Sequence, residues 1–154
     1  MAEQDEWLEL LEKEAVETFN GRRTERTRIE LFAADLSEKK LAGVDLSNAN
    51  LEKSDLTGTD LTDANLMKAN LAGIDGSGAI LRDALALRCR FKDAWMDDTE
   101  LSYGDFTESD FADANLERSA GQGARFIKAR LRGANLTGAT LSGANLTRAD
   151  LRGA

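Results

Sequence analysis

The sequence predicts an all-β protein, a parallel β-helix of short stacked strands, with one short α-helix in front of it. An apolar residue, usually leucine, recurs every five residues from position 31 to position 151 without a slip in phase. A small residue stands two positions before nearly every one of these apolar residues. The 154-residue chain also contains no proline, which would remove hydrogen-bond donors from a β ladder.

The repeating unit is five residues long and occurs 25 times. Its central position holds Leu in 17 units, Phe in four and Met in one, and the exceptions are Gly76, Ala86 and Gly121. Two residues earlier, 21 units have Ala, Ser, Thr, Cys or Gly, and one residue earlier 14 units have Asp or Asn. The unit is therefore a small residue, Asp or Asn, Leu and two variable residues.

This period excludes both regular elements as the carrier of the leucines. Steps of five on an α-helix would scatter the leucines around the axis, and on a flat strand an odd step would send them to alternate faces. A chain that turns a corner in every unit keeps all of them on the inside. The repeat therefore predicts a solenoid of stacked coils, with small residues where two inward side chains share one side.

These units resemble the pentapeptide-repeat family, whose pattern is A-(D/N)-L-x-x, over residues 31–154. The resemblance implies a right-handed quadrilateral parallel β-helix, a pentapeptide-repeat solenoid with four units per coil. It further implies about six coils over residues 29–154, and at ~4.8 Å per coil the rod would be about 30 Å long. Four sides follow from the resemblance alone, because the phenylalanines at 91, 106, 111 and 126 are separated by 15 residues as well as by 20.

Residues 1–28 are predicted to form an N-terminal capping helix and a linker. Over residues 5–20 the apolar side chains have helical spacing, with Asp5 as the N-cap and Asn20-Gly21 as the stop. The apolar set is Trp7, Leu8, Leu11, Ala15, Val16 and Phe19. We expect this helix to cover the open end of the solenoid, and the alternative is a helix that binds a partner. Arg22, Arg23, Arg26 and Arg28 form either a solvated linker or a phosphate-binding segment.

The composition argues against catalysis. The chain has no histidine and one cysteine, which excludes histidine-dependent nucleophiles, His-ligated metals and Cys-based zinc sites. Cys89 occupies an inward position and is expected to be a core thiol. We therefore predict a protein that is not an enzyme and has no cofactor or metal site. The net charge of −8 argues against direct nucleic-acid binding, and the acidic N-terminus and short apolar runs indicate a cytoplasmic protein without membrane contact.

Two surface features are candidates for partner binding. Nine acids and no base lie between residues 93 and 117, and a basic end follows over residues 118–154. This acidic belt consists of Asp93, Asp97, Asp98, Glu100, Asp105, Glu108, Asp110, Asp113 and Glu117. An apolar patch is predicted from outward-facing side chains, namely Met67, Leu85, Leu87, Trp95 and Ile127.

The sequence leaves two functions open. The first is an interaction or scaffold rod that presents a charged and partly apolar surface to a protein partner. The second comes from the resemblance, because one branch of the family confers quinolone resistance by binding DNA gyrase or topoisomerase IV with an acidic rod that mimics duplex DNA. We also expect a homodimer through the C-terminal coil near residues 141–154, since an uncapped coil exposes leucines and an unpaired strand edge.

Overall fold

The computed structural model of the chain describes residues 2–24 and 26–154, so that Met1 and Glu25 of the predicted cap and linker lie outside the described residues. It confirms the predicted fold class, a right-handed quadrilateral parallel β-helix behind a helical N-terminus. Every fifth residue forms a parallel bridge to the residue 20 positions later. There are 21 such bridges, from Glu30↔Asn50 to Arg130↔Asp150. Four units therefore complete one coil, and the repeat makes about six coils.

The bridges define four sides of the rod, which we number in chain order. The bridge residues are 30, 50, 70, 90, 110, 130 and 150 on side 1 and 35, 55, 75, 95, 115 and 135 on side 2. They are 40, 60, 80, 100, 120 and 140 on side 3 and 45, 65, 85, 105, 125 and 145 on side 4. After its bridge residue, each side continues with the inward central residue and two turn residues. Sides 2 and 4 are opposite each other.

A β-turn closes every unit. In the first of them the backbone N–H of Ala34 donates to the carbonyl of Leu31 at 3.0 Å. The second turn residue has a positive φ in all 25 units, and in 16 of them it is not glycine. The residue before the inward Leu steadies the turn, because its side-chain oxygen accepts the N–H two residues on, as Asp55 Oδ1 does from Thr57 at 2.9 Å. This contact explains the preference for Asp and Asn at that position.

The core is a stack of inward side chains along the axis. The central residues are completely or almost completely buried from Leu31 to Leu131. Phe91 stacks on Phe111 with 4.6 Å between ring centroids, and Phe106 stacks on Phe126 at 5.2 Å. Hydroxyls at the small-residue positions are satisfied internally, since buried Thr59 donates to the carbonyl of Leu36 at 2.8 Å.

The N-terminal segment forms two helices, α1 (Ala2–Glu12) and α2 (Val16–Arg22), so the prediction of one helix over 5–20 is wrong. The helix is interrupted because Glu14 adopts a left-handed conformation with a φ of 56°. The N–H groups of Glu14 and Ala15 donate back to the carbonyls of Leu11 and Leu10, which terminates α1 as a Schellman motif. Asp5 lies within α1 and is therefore not its N-cap.

The two helices cover the first coil. Trp7 and Phe19 pack edge to face at 5.1 Å, and Phe19 is fully buried. Polar side chains of the helical segment also form the hydrogen bonds to the first coil that a preceding coil would otherwise supply. Asn20 donates to the carbonyl of Gly43 at 2.9 Å and accepts the N–H of Asp45 at 2.8 Å, and Glu14 accepts the N–H of Lys40 at 2.9 Å.

Arg23 departs from the expectation of a solvated linker. Its side chain is only 6% exposed. Its guanidinium donates to the Asp45 carbonyl, to the Asp45 carboxylate at 3.2 Å and to the Ser47 carbonyl at 2.7 Å. Arg23 therefore fastens the chain to the first coil. Neither helix is long and apolar enough to cross a lipid bilayer.

Candidate functional site

The candidate apolar residues lie on two opposite sides of the rod. Met67, Leu85, Leu87 and Ile127 are on side 4, whereas Trp95 is on side 2, paired in the ladder with Asp75 and Asn115. The side chain of Trp95 is 61% exposed and that of Leu85 is 39% exposed. One partner surface centred on both residues is therefore not present, and the two sides have to be considered separately.

Side 4 carries an apolar column formed by the first turn residues of successive coils. Adjacent coils are about 4.8 Å apart, so these side chains stack along the axis. All of them are half-buried. We call Met67, Leu87, Thr107 and Ile127 the apolar column.

A second column runs beside it, formed by the second turn residues of the same coils. We call Lys68, Arg88, Glu108, Lys128 and Arg148 the basic column. The two columns meet in a shallow groove of about 110 Å³ whose lining comes from three successive coils. The groove is lined by Met67, Lys68, Leu87, Arg88, Thr107 and Glu108.

Ion pairing inside the basic column leaves it positive. Arg88 Nε donates to Glu108 Oε2 at 2.7 Å, and Lys128 Nζ lies 3.7 Å from Glu108 Oε1. The hydrogen bond from Arg88 lowers the pKa of the Glu108 carboxyl, and the charges of Arg88 and Lys128 add to that effect. One carboxylate thus opposes four cations along the column.

The acidic belt predicted for residues 93–117 surrounds the rod. Since one coil takes 20 residues, a contiguous stretch of 25 must pass over every side. Asp93, Asp110 and Asp113 lie on side 1, Asp97, Asp98 and Glu117 on side 2, Glu100 on side 3, and Asp105 and Glu108 on side 4.

Bases one coil away neutralise much of this belt. Arg118 Nη2 lies 2.8 Å from Asp98 Oδ2. Similar pairs join Arg82 to Glu100 at 3.3 Å, Arg125 to Asp105 at 3.4 Å and Arg130 to Asp110 at 3.5 Å. The belt and the basic end therefore largely compensate each other at the surface, as expected for residues separated by one coil.

An acidic stripe runs along side 2 instead, and Arg118 pairs with the three acids at its C-terminal end, Asp97, Asp98 and Glu117. The outward positions of that side hold seven acids against a single base, Arg118. The acidic stripe consists of Asp35, Glu38, Asp55, Asp75, Asp97, Asp98 and Glu117. The reasoning from sequence missed Asp35, Asp55 and Asp75, although their spacing of 20 residues was the signal that could have found them.

The net charge of the outward positions differs strongly between the sides of the rod. The outward positions of side 2 have seven acids and one base, a difference of −6. Those of side 4 have five bases (68, 88, 125, 128 and 148) and three acids (45, 105 and 108), a difference of +2. The most acidic side is thus opposite the most basic one, and Trp95 stands within the acidic stripe.

The cysteine thiol in the core is not activated. Burial raises the pKa of the Cys89 thiol to about 12, and its Sγ donates to the carbonyl of Leu66 at 2.7 Å. A thiol with such a pKa stays protonated and unreactive near neutral pH. Across residues 2–24 and 26–154, no group of three or more His, Cys, Asp or Glu side chains is placed to hold a metal ion.

These features define a β-helical solenoid with a packed, mostly apolar core and four distinct outer sides. The family model for pentapeptide repeats matches residues 29–67 and 122–154 with eight copies, and the exceptional central residues Gly76, Ala86 and Gly121 lie between the two matches. The chain is a pentapeptide-repeat protein, as the unbroken period and the ladder already indicated. No curated protein has a significantly similar sequence.

Solved structures that are similar to this chain include QnrB1, which shares its fold, and two pentapeptide-repeat proteins that superpose less well. QnrB1, a plasmid-mediated fluoroquinolone resistance protein, is 15% identical with a TM-score of 0.64, covering 81% of this chain and 70% of that one. A protein from the cyanobacterium Cyanothece 51142 is 24% identical with a TM-score of 0.42, covering 65% of each chain. One from Nostoc PCC 7120 is 36% identical with a TM-score of 0.37, covering 53% of this chain and 64% of that one. This chain thus spans about two thirds of the length of these proteins.

Proposed function

We propose that the protein is a non-enzymatic interaction rod that docks a protein partner on side 4. The observation that carries the proposal is the apolar column running beside a column of net positive charge, with exposed Leu85 on the same side. Rows of apolar side chains bordered by charge are more often interfaces than free surface.

The core does not need these apolar side chains. The inward positions of the same coils are filled by Leu66, Ala86, Phe106 and Phe126, all of them buried. Most other turn positions in the repeat hold small, polar or charged residues. Met67, Leu87 and Ile127 are therefore outward-facing side chains that the core does not require. Burying them against a partner would contribute a binding free energy of about 25 cal/mol per Å² of apolar surface removed from water.

The test compares two sides of the same rod. We expect Leu85→Ser/Leu87→Ser to abolish binding of the native partner, which is captured from the source cell, identified and then rebound as a purified protein. Trp95→Ser removes an exposed apolar side chain from the opposite side and should leave binding intact. Unchanged circular dichroism would show that both variants are folded. Equal binding by wild type and the side 4 variant would refute the proposal.

A second candidate function rests on the acidic stripe of side 2. A row of carboxylates along a narrow rod resembles the charge pattern of a DNA backbone, so the alternative is a DNA mimic that binds DNA gyrase or topoisomerase IV. QnrB1 is described as a fluoroquinolone resistance protein, and at 15% identity its likeness to this chain concerns the fold alone. The stripe itself is the observation that favours this alternative.

Isosteric variants separate the stripe from the belt. Asn preserves the side-chain oxygen that holds each turn and removes the charge. We expect Asp55→Asn/Asp75→Asn to weaken inhibition of gyrase supercoiling, whereas Asp105→Asn/Asp110→Asn, which changes the paired belt by the same charge, should not. No inhibition by micromolar wild-type rod would eliminate this alternative.

We also propose that two rods associate end to end through the C-terminal coil. Leu136, Leu141 and Leu146 are only half-buried there, and Leu151 is 39% exposed, whereas the leucines of the first coil lie under the helices. A dimer would cover them and would lengthen the acidic stripe. Sedimentation equilibrium decides the matter, since Leu146→Glu/Leu151→Glu should give a monomer at concentrations where wild type is a dimer.

A further inference from the structure

We propose that side 4 binds an acidic amphipathic α-helix of its partner, laid parallel to the axis of the rod. This inference rests on the proposed docking function and specifies the chemistry of the docked segment. It commits to one occupant, for which the spacing of the apolar column and the charge of the basic column supply independent arguments.

The spacing favours a helix over a strand. From Met67 to Ile127 the apolar column covers three coil intervals, or about 14 Å at ~4.8 Å each. A helix presents one apolar residue per turn of about 5.4 Å, so four successive ones cover about 16 Å and meet all four levels. A strand shows side chains to one face about 6.8 Å apart, and only three of them fit the same length.

The positive charge of the basic column favours acidic residues beside the apolar face of that helix. The basic column lies along one edge of the groove, and among the described residues Lys68 and Arg148 make no ion pair. Glutamate or aspartate placed one position from each apolar anchor would face these cations. Charge complementarity of this kind guides encounter and orientation, so an acidic helix should bind in one direction and a basic one should be repelled.

The middle of the groove adds a further specificity. At the level of Thr107 and Glu108 both columns are polar, and Glu108 is held between Arg88 and Lys128. A leucine followed by a glutamate would fit poorly at this level. The docked helix should therefore have a small or polar residue there, with its apolar anchors facing Met67, Leu87 and Ile127.

Two other occupants share part of this chemistry. An anionic lipid surface would also meet apolar and basic side chains, but the net charge of −8 and the acidic stripe oppose adsorption of the rod. A second copy of this chain could place its own surface in the groove. Both are outcomes of the experiment below.

The experiment measures the affinity of lactam-stapled helical probes for the full chain by fluorescence anisotropy. The first probe has leucines at the levels of Met67, Leu87 and Ile127, a serine at the level of Thr107, and a glutamate beside each of the two outer leucines. The second replaces every glutamate with lysine, and the third has the composition of the first with leucines distributed around the helix. Stapling keeps helix formation from limiting the result. We expect the first probe to bind at least about tenfold more tightly than the other two, which corresponds to ~1.4 kcal/mol.

Matched rod variants locate the site. Arg88→Gln/Lys128→Gln should weaken the first probe about tenfold, whereas Arg90→Gln/Arg130→Gln, with the same total charge but on side 1, should leave it unchanged. Equal binding of the glutamate and lysine probes, or equal losses in both variants, would overturn the inference. So would side 4-dependent binding to phosphatidylglycerol vesicles that the probe does not displace, or side 4-dependent self-association in sedimentation.

The inference and the proposed function fail in different ways. If the purified native partner requires Leu85 and Leu87 but binds through a segment that is neither helical nor acidic, the inference fails and the docking function stands. If no partner requires those leucines, the docking function fails whatever the probes do.

Discussion

Replacing Phe111 by Ala tests whether the central residues of the repeat form a tightly packed interior. Phe111 is the inward residue that follows Asp110 on side 1, and it is fully buried. Its ring stacks on Phe91 at 4.6 Å and an interplanar angle of 7°, and meets Phe106 and Phe126 edge to face, both at 5.7 Å. Five of the six possible pairs among the four rings are therefore in contact, so that the rings form one aromatic cluster.

The expected loss has two parts. A buried Phe side chain contributes about 1.5–3 kcal/mol through its removal from water. The space left by its ring is on the order of 100 Å³ and adds about 2 kcal/mol at ~24 cal/mol per Å³, because stacked coils cannot collapse onto the axis. The sum is about 4 kcal/mol, a large share of the 5–15 kcal/mol that stabilises a typical domain.

Urea unfolding followed by far-UV circular dichroism measures this loss, and Phe32→Ala is the control. Phe32 is 56% exposed on side 1, with Lys53 Nζ 5.7 Å from its ring centroid. That substitution should cost at most about 1 kcal/mol. If Phe111→Ala and Phe32→Ala lowered the free energy of unfolding equally, the assignment of the central positions to a packed interior would be wrong.

Three further predictions concern the cap, the turns and the thiol. Asn20→Ala removes two hydrogen bonds to the edge of the first coil and should lower the free energy of unfolding by about 1–3 kcal/mol, measured by urea unfolding. Gly43→Ala puts a side chain at φ +72° with open space around it and should cost about 1 kcal/mol, whereas Gly21→Ala, within α2, should stabilise the protein by about 0.5–1 kcal/mol. A more stable Gly43→Ala variant or a less stable Gly21→Ala variant would contradict the role of φ. With a pKa raised to about 12, Cys89 should react with a thiol reagent at least about 100-fold more slowly than the unfolded chain at pH 8, and fast labelling of the native protein would show that this coil opens.

The period of five was sufficient to predict the core because burial of the central residue is a property of every unit. Leu61 and Leu101 are both inward and buried, as the repeat requires. The number of sides could not be derived in the same way, since it depends on the angle of each turn and not on which residues are apolar. The break between α1 and α2 was missed because Glu14, where glycine is usual, adopts the left-handed conformation at the end of α1.

The surfaces were predicted less well because they depend on a period of 20, which contiguous segments of sequence conceal. Leu85 and Trp95 are ten residues apart, and ten residues correspond to half a coil, so the two side chains face opposite directions. The acids of residues 93–117 look like a cluster in sequence and surround the rod in space. Residues separated by 20, such as Arg125 and Asp105, are neighbours and form an ion pair.

The fold separates the residues that stabilise the rod from those available for recognition. The two inward positions of every unit are constrained by packing, whereas one bridge position and two turn positions per unit face outward and accept a wide range of residues, including Trp95 at a position where Asp is usual. Because the ladder stacks each outward position on its equivalent at about 4.8 Å, a substitution at one level extends a column that already exists. An apolar and a basic column can thus accumulate on side 4 and an acidic stripe on side 2 without disturbing the core. Two opposite sides of one rod can then have different partners, and variants on one side should leave binding to the other unchanged.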